Sequence, residues 1–335
     1  MLIESVPNVS EGRRPEVIDR LAQAITSVPG VFLLDRTSDA SHNRSVFTLA
    51  GEHDAVSDAL ERLVEVAISE IDMEAHDGEH PRIGAVDVIP FIPLGDTTLD
   101  ACVDLARDLG KRIAGRFRLP VYLYARAAQR SDREKLADVR RGQFEGLKTE
   151  IGQPGRAPEF GPATIHPRAG AVAIGARPFL IAYNINLASD DVELAKRIAR
   201  RVRESGGGLP RVQANGFEVR EPERGHPLLA QVSMNLLDFA VTPLWRVWDT
   251  VRELAAQDGV ALLESELIGL APLASLLAVA EHADGSSPAP TTSELEEVRL
   301  RVAADYLRLR DFSPLQALER RLALATGDTT EAAAR

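Results

Sequence analysis

Hydrophobic residues in the first 125 positions alternate between the spacing typical of strands and that typical of helices. Extended apolar runs predict strands at residues 2–6, 31–34, 45–50, 86–92 and 120–124. Apolar positions three and four residues apart predict helices at residues 15–28, 56–71 and 100–116. The order is β-α-β-β-α-β with additions, which is the ferredoxin-like split βαβ pattern.

The second half of the chain shows the same order of elements without a sequence repeat. Predicted strands cover residues 179–187, 211–219, 229–237 and 260–263, and predicted helices cover residues 190–203 and 243–257. Residues 152–170 are rich in Gly and Pro and are predicted to form a loop. The segment SSPAPTT at 286–292 is predicted to be a flexible linker, and a helical region is predicted to follow at 293–309. The tail, 326–335, is expected to fray. The sequence therefore predicts an α+β protein with units at 1–170 and 171–285 and a helical extension at 286–335.

Amide side chains share one face of three predicted strands in the second half. In the strand 179–187, Asn184 and Asn186 point away from the apolar residues, and Gln231 and Asn235 do the same two strands later. Amides offer paired donors and acceptors, which suit either a ligand or another polar surface. The face is thus interpreted as a ligand-facing wall or as a polar interface between the units.

Composition limits the possible partners. The net charge of −11 argues against nucleic-acid binding, which needs a broad cationic surface. The longest apolar stretch, 267–280, is broken by Gly and Pro and is too short to span a bilayer, and no secretory signal is visible at residues 1–7. Cys102 is the only cysteine, so no disulfide can form within the chain. We expect a cytoplasmic protein that binds neither nucleic acid nor membranes.

The densest cluster of reactive side chains lies between the second predicted helix and the strand 86–92. The sequence 74–85 holds two histidines, three acids and an arginine among Gly78, Pro81 and Gly84. Histidine is the side chain best suited to proton transfer near neutral pH. His76 and His80 have the spacing of a helical metal site, but Gly78 makes a helix there doubtful, so no metal is expected.

Two further polar loops lie at 7–12 and 35–44. The first follows a predicted strand and the second leads into one, and each is either an ordinary turn or a ligand contact.

Taken together, these loops resemble the formiminotransferase family. The similar segments run in order along the chain: 6–12 (VPNVSEG), 42–44 (HNR), 76–85 (HDGEHPRIGA), 120–124 (PVYLY), 141–145 (RGQFE), 159–162 (EFGP), 179–187 (FLIAYNINL), 231–238 (QVSMNLLD) and 265–270 (SELIGL). One such string would be weak evidence. Nine in order over most of the chain make a specific resemblance.

The resemblance implies a fold, an activity and a site. It implies two ferredoxin-like (βαββαβ) subdomains with a folate tunnel between them, a homodimer, and transfer of a formimino group from N-formiminoglutamate to tetrahydrofolate as co-substrate in histidine degradation. His80, the histidine of GEHPR, matches the catalytic residue of the family. The folate-binding loop of the family corresponds to the residues Gly161, Pro162, Ala163, Thr164, Ile165, His166, Pro167, Arg168, Ala169 and Gly170.

Two departures from the family affect the acidic residues. Animal members carry an aspartate where this chain has Thr37, and Asp39 follows two residues later. They carry a glutamine where this chain has Glu266. Because the amidinium of the substrate is cationic, Asp39 and Glu266 are the predicted carboxylates that stabilise it.

The remaining predicted contacts follow from the charge of the substrates, and His80 is expected to act first as base and then as acid. Arg44, Arg82 and Arg168 are the candidates for binding carboxylates, because a guanidinium can donate two hydrogen bonds to one carboxylate. Asn8 and Asn184 are predicted to touch a ligand. Other hypotheses are transfer of a formyl group, hydrolysis without folate, a folate-binding protein without catalysis, and a structural module.

Overall fold

The computed structural model describes residues 1–221, 225–285 and 292–327. Contacts between Cα atoms divide the chain into two compact units, Met1–Pro178 and the part that begins at Phe179. Each unit has its own β-sheet with helices packed on it. The prediction of an α+β protein is confirmed.

The first unit contains seven strands and five α-helices within the described residues. The strands are β1 Leu2–Ser5, β2 Asn8–Val9, β3 Val31–Asp39, β4 Arg44–Glu52, β5 Val86–Pro93, β6 Val121–Ala125 and β7 Val172–Ala176. The helices are α1 Pro15–Thr26, α2 His53–Glu70, α3 Leu99–Phe117, α4 Leu136–Val139 and α5 Gln143–Glu150.

The strands of the first unit form one sheet around the broken strand β1/β2. Both β1 and β2 pair antiparallel with β4 on one side and with β5 on the other. Pro7 lies at the break, where its ring nitrogen has no hydrogen to donate to a neighbouring strand. β3 pairs antiparallel with the outer side of β4, while β7 and then β6 extend the sheet from β5 in parallel. Counted along the chain, the strands of the first βαββαβ set are β1/β2, β3, β4 and β5. In the sheet they lie side by side as β5, β1/β2, β4 and β3, so the spatial order is fourth, first, third, second.

Helices α1, α2 and α3 cover one face of this sheet because each has a continuous apolar stripe. On α1 the buried positions are Val17, Ile18, Leu21 and Ile25, three to four residues apart. They join strand residues such as Phe47 in one buried cluster. A second cluster, with Tyr122 and Tyr124 of β6, lies under α4 and α5. These two cores fix the ends of β2, β4 and β5, where the polar loops begin.

The second unit repeats the same spatial order with four strands. Its elements are β8 Ile181–Leu187, α6 Val192–Val202, β9 Val212–Glu221, β10 His226–Leu236, α7 Leu244–Gln257, β11 Leu262–Ile268, α8 Leu273–Asp284, α9 Ser293–Leu307 and α10 Leu318–Thr326. All neighbours in the sheet β11-β8-β10-β9 are antiparallel. When these four strands are numbered along the chain, their spatial order is again fourth, first, third, second.

The unit boundary differs from the one predicted after residue 170. β7 pairs in parallel with β5 and β6, so residues 172–176 complete the first sheet instead of opening the second unit. The hydrophobic pattern does not predict this strand, because it is only five residues long and every residue in it is buried. We accordingly place the end of the first unit at Pro178.

The C-terminal helices pack within the second unit. Leu300, Ala303 and Leu307 of α9 are buried in the same cluster as the β8 and α7 side chains. Backbone hydrogen bonds run from Ser265 N to Arg308 O and from Arg310 N to Ser265 O, both 2.9 Å long. The described part of the predicted extension 286–335 is therefore a layer on the core of the second unit, with no core of its own.

Some sequence predictions fall outside the described part of the chain. Residues 286–291 of the predicted linker and residues 328–335 of the predicted frayed tail are among them. Within the parts that are described, no helix combines the length and the hydrophobicity needed to cross a membrane.

Truncation of Leu300 tests whether α9 belongs to the core of the second unit. Leu300 is fully buried, so Leu300→Ala should lower the free energy of unfolding by about 2–5 kcal/mol. Leu295 lies on the same helix but is 45% exposed, and Leu295→Ala should change that free energy by less than about 0.5 kcal/mol. Urea denaturation measures both. Equal small effects would mean that α9 does not pack as described.

Candidate active site

A small cavity lies where the three polar loops of the first unit meet. The loops follow β2, join β3 to β4, and join α2 to β5. The lining residues are Val9, Ser10, His42, Asn43, Arg44, His76, His80, Arg82 and Asp87. Most of them belong to the segments that carry the family resemblance. Segments that are distant in the sequence therefore lie together in the fold.

Asn43 connects the three loops through its side-chain amide. Its Oδ1 accepts a hydrogen bond from Gly12 N at 2.9 Å, and its Nδ2 donates to Asp77 O at 2.8 Å. The residue is 8% exposed and has a φ of +48°, a conformation that asparagine tolerates better than most residues. One amide thus ties the β2 loop and the α2–β5 loop to the turn that carries His42 and Arg44.

Two glycines allow this close approach. A Cβ at Gly12 would lie 2.2 Å from Asp39 O, and a Cβ at Gly78 would lie 2.5 Å from His42 O. No side chain fits at either distance, so the loops reach their spacing only with glycine at these positions.

His80 is the half-buried imidazole of the cavity. Burial lowers its pKa most, and the positive charges of Arg44, Arg140 and then His42 lower it further, to about 3. The ring is consequently neutral at neutral pH and has a lone pair available to accept a proton. The predicted proton-transfer residue thus lies in the cavity in the protonation state that a base requires.

Arg44 is a cation without a carboxylate partner in the described part of the chain. Its Nη1 donates to Asn8 Oδ1 at 3.3 Å, and no acidic side chain of those residues lies within ion-pair distance. Burial, followed by the charge of Arg140, lowers its pKa, which shows that the site disfavours this positive charge as it stands. A bound carboxylate would relieve that cost. Asn8, predicted as a ligand contact, holds the guanidinium in place.

Arg82 lines the cavity as well, but its five N–H donors are already used. It donates to Glu145 from Nη1 at 2.9 Å and from Nη2 at 2.7 Å, and Nη1 also donates to Gln143. Its Nε donates to His76 Nδ1 at 3.2 Å, and its Nη2 donates to His76 O. Of the two arginines predicted to bind carboxylates here, Arg44 is therefore available and Arg82 is committed to the fold.

The Arg82 contact fixes the tautomer of His76. Because Arg82 can only donate, His76 Nδ1 must accept, and the ring proton must be on Nε2. That nitrogen lies 3.1 Å from Asn43 O, to which it donates. Burial lowers the pKa of His76, in agreement with a neutral ring. His76 therefore supports the loops, and only His80 and His42 remain for proton exchange in the cavity.

Asp87 and Arg140 form a buried pair that the sequence analysis missed. Arg140 Nε donates to Asp87 Oδ2 at 2.9 Å, and Arg140 Nη2 donates to the same oxygen. The other oxygen accepts from Ile83 N at 2.8 Å, which fixes the start of β5. A lone aspartate inside the apolar run 86–92 was the available signal, because a buried acid needs a partner.

Asp39 lies beside His42 at the turn between β3 and β4. Its Oδ1 accepts from His42 N at 2.7 Å and is 3.1 Å from His42 Nδ1. Burial raises the pKa of Asp39, but the hydrogen bonds and charge of His42 outweigh this effect and lower it overall. Both side chains are about half exposed. Asp39 is thus near the cavity, and His42 is its immediate partner.

The predicted folate loop, Gly161 to Gly170, touches the site region only at its end. His166 and Gly170 exchange backbone hydrogen bonds, and His166 Nδ1 accepts from Ala169 N at 3.0 Å. Ala169 O accepts from Ala85 N, which places this end beside the α2–β5 loop. Arg168 instead faces Asp72, with Nε and Oδ2 3.6 Å apart. None of the ten residues lines the cavity described above.

The predicted residues of the second unit form a network of their own. Asn184 Nδ2 donates to Glu266 Oε1 at 2.9 Å, and Gln231 Nε2 donates to Asn186 Oδ1 at 2.9 Å. Arg310 Nε donates to Glu266 Oε2 at 2.8 Å. The amides therefore bond to one another and to glutamates of β11, and Arg310 balances the charge of Glu266.

No group of three or more His, Cys, Asp or Glu side chains with the arrangement of a metal site occurs among the residues that the structure describes.

Comparison with known families gives two matches that cover most of the chain. Residues 2–177 match the formiminotransferase domain, N-terminal subdomain. Residues 182–323 match the formiminotransferase domain. The two matches meet at nearly the same place as the division into compact units.

Curated relatives agree with these matches. A glutamate formimidoyltransferase of Streptococcus pyogenes serotype M1 is 44% identical over 84% of this chain and 92% of its own length. A protein of the same name from Thermoplasma acidophilum is 46% identical over 84% of this chain and 91% of its own length. The formimidoyltransferase-cyclodeaminase of Rattus norvegicus is 42% identical over 95% of this chain, which spans 59% of that protein.

Substitution of the two arginines should separate a structural guanidinium from one available to a ligand. Arg82→Gln leaves buried donors and acceptors unpaired, so it should lower the free energy of unfolding by about 1–3 kcal/mol. Arg44→Gln removes a cation that has no carboxylate partner here, so it should leave that free energy within about 0.5 kcal/mol. Chemical denaturation of both variants is the measurement. A larger loss for Arg44→Gln than for Arg82→Gln would contradict the assignment.

Proposed function

Because the chain belongs to the formiminotransferase family, we propose that it transfers the formimino group of N-formimino-L-glutamate to N5 of tetrahydrofolate. The products are 5-formiminotetrahydrofolate and L-glutamate. Relatives that carry the name glutamate formimidoyltransferase support this activity at 44% and 46% identity. The observation that carries the proposal is the neutral imidazole of His80 in one cavity with the available guanidinium of Arg44.

The reaction begins with attack of N5 on the amidine carbon of the donor. A bond forms between N5 and that carbon, and the electrons of the C=N double bond move onto nitrogen. N5 then has to lose its proton, and the neutral ring of His80 accepts it. The tetrahedral carbon now bears three nitrogens: N5, the former imino nitrogen and the glutamate nitrogen. Glutamate leaves when its nitrogen has gained a proton, and the C=N double bond to the former imino nitrogen forms again.

Arg44 binds a carboxylate of formiminoglutamate in this proposal. The guanidinium offers donors that the described residues leave without an acidic partner. Its charge is also one of the causes that lower the pKa of His80, after burial. A carboxylate at Arg44 offsets that charge and so raises the proton affinity of His80 when the donor is bound. Binding of the donor and activation of the base are thereby coupled.

The contacts to tetrahydrofolate belong to the same proposal. Gly161 to Gly170 bind the folate, and the position of Ala169 beside Ala85 supports a place for it near the α2–β5 loop. Asn184 and Glu266, which bond to each other in the second unit, stay predicted ligand contacts, while Arg82 supports the site through its bonds to Glu145. A metal has no step in this mechanism.

We further propose that both units have the ferredoxin-like fold. The spatial order fourth, first, third, second in each βαββαβ set supports this assignment. The folate tunnel, the homodimer and the cytoplasmic location stay predictions.

One assay distinguishes the proposed activity from its alternatives. Purified protein is mixed with formiminoglutamate or formylglutamate, with and without tetrahydrofolate, and glutamate release and 5-formiminotetrahydrofolate are measured. Folate-dependent release from formiminoglutamate supports the proposal. Preference for formylglutamate indicates a formyltransferase, folate-independent release indicates a hydrolase, and binding of folate without release indicates a binding protein.

Replacement of His80 tests its role as the base. His80→Ala should lower kcat by about 10²–10⁴-fold, which is the usual contribution of a general base. Tetrahydrofolate affinity should change little, and steady-state kinetics with a folate-binding titration measures both. His53→Ala is the matched control, because His53 is a histidine of the same unit that does not line the cavity. Normal turnover of His80→Ala would remove the mechanism.

Replacement of Arg44 tests the electrostatic coupling. Because Arg44 lowers the pKa of His80, Arg44→Gln should raise that pKa from about 3 toward the ordinary value and should raise KM for formiminoglutamate. Titration of the His80 ring by NMR gives the pKa. Arg36→Gln, at a guanidinium paired with Asp19, is the control. A His80 pKa that is unchanged or lower in Arg44→Gln would refute the coupling.

A further inference from the structure

The pair of Asp39 and His42 has the geometry of an oriented proton-transfer group. Asp39 Oδ1 lies 3.1 Å from His42 Nδ1 and also accepts from the backbone N of His42 at 2.7 Å. The carboxylate therefore holds both the ring and the turn that carries it. With Nδ1 engaged by Asp39, Nε2 is the nitrogen left for proton exchange.

His42 shares the cavity with His80. Both rings line it, and their centroids are 6.5 Å apart with an interplanar angle of 64°. At this separation the two rings can reach different substituents of one carbon atom bound between the loops. The side chain of His42 is 47% exposed, so it can exchange protons with solvent, whereas His80 is more enclosed.

The proposed reaction needs two proton transfers at one carbon, and the two imidazoles differ in the way that such a division requires. His80 is held neutral by burial and by Arg44 and Arg140, so its lone pair can accept a proton once a bound carboxylate offsets the positive charge. His42 is instead about half exposed and oriented by a carboxylate, so its Nε2 can exchange protons with solvent between turnovers.

We propose that His42, oriented by Asp39, is the general acid that protonates the departing glutamate nitrogen while His80 acts as the general base. This inference rests on the proposed function and assigns its second proton transfer. His42 is thus a second catalytic residue, and Asp39 is a positioning residue that acts through it. These roles differ from those predicted from the sequence, in which His80 makes both transfers and Asp39 stabilises the substrate cation.

The proton balance of the step closes without a further reactant. N5 of tetrahydrofolate forms a bond to the amidine carbon, and its proton moves to the neutral ring of His80. The imidazolium of His42 gives its Nε2 proton to the glutamate nitrogen, the bond between carbon and that nitrogen breaks, and the C=N bond forms again. One proton has left N5 and one has joined glutamate, so passage of a proton from His80 to His42, directly or through solvent, restores the site.

The first test compares His42→Ala with His53→Ala. Both histidines stand beside an aspartate in the first unit, since His53 Nδ1 lies 3.4 Å from Asp54 Oδ1, but His53 does not line the cavity. His42→Ala should lower kcat for transfer by about 10²-fold or more, and tetrahydrofolate binding and the thermal midpoint should match the wild type. His53→Ala should keep full activity.

Chemical rescue then separates proton transfer from a structural role. Replacement by glycine at this half-exposed position opens room for a small proton donor, so imidazole in solution, through its protonated form, should restore part of the activity of His42→Gly. The activity of His80→Ala under the same conditions shows how much of any restoration is specific to position 42. Loss of activity without rescue at any imidazole concentration counts against the proposal.

A double-substitution cycle tests the role of Asp39. If Asp39 acts through His42, Asp39→Asn should lower kcat in the wild-type background and have no further effect in His42→Ala. Equal effects in both backgrounds would show that Asp39 acts independently, for example on the substrate cation.

The outcomes distinguish this inference from the proposed function. Wild-type transfer with an inactive His80→Ala and a fully active His42→Ala overturns the inference and leaves the function standing. A wild-type chain without formimino transfer overturns both. A large loss in His42→Ala, rescue of His42→Gly by imidazole and a non-additive Asp39→Asn together support it.

Discussion

The amide of Asn43 is the contact on which the arrangement of the site depends. By accepting from Gly12 N and donating to Asp77 O, it joins loops that are more than thirty residues apart in the sequence. The neighbouring glycines let the backbones approach to distances that exclude any side chain. Each loop carries part of the chemistry, so the cavity exists only while these loops are held together.

With the loops held together, the charges of the arginines around the cavity influence the imidazoles that line it. Arg140 is paired with Asp87, and Arg82 is paired with Glu145, but Arg44 has no acidic partner in the described part of the chain. Burial keeps His80 neutral, and the uncompensated positive charge of the cavity adds to that effect and attracts an anionic substrate. Substrate binding completes the charge balance, and the same event prepares the base.

Much of the fold could be predicted from the sequence because its elements have regular apolar periods. The helix α1 and the strands around it follow from spacing alone. β7 could not be found in this way, because a short strand buried on both faces shows no alternation. The packing of α9 was likewise invisible, since an amphipathic helix does not reveal which surface it covers.

The sequence predicts several residues of the site, but it does not predict the role of each one. The resemblance pointed to His80, and the chemistry of guanidinium groups pointed to Arg44 and Arg82. Only contacts in space show that Arg82 is fully used by Glu145 and His76, whereas Arg44 is available. The partnership of Asp39 with His42 also depends on the shape of a turn, which residue spacing does not determine.

The proposed mechanism depends on His80 being a neutral base whose proton affinity rises when an anionic substrate binds. NMR of the ¹⁵N-labelled His80 ring as a function of pH, in the free protein and with bound glutamate, measures this property. We expect a neutral ring at pH 7 in the free protein and a higher pKa with glutamate bound. A ring that is protonated at pH 7 in the free protein would contradict it.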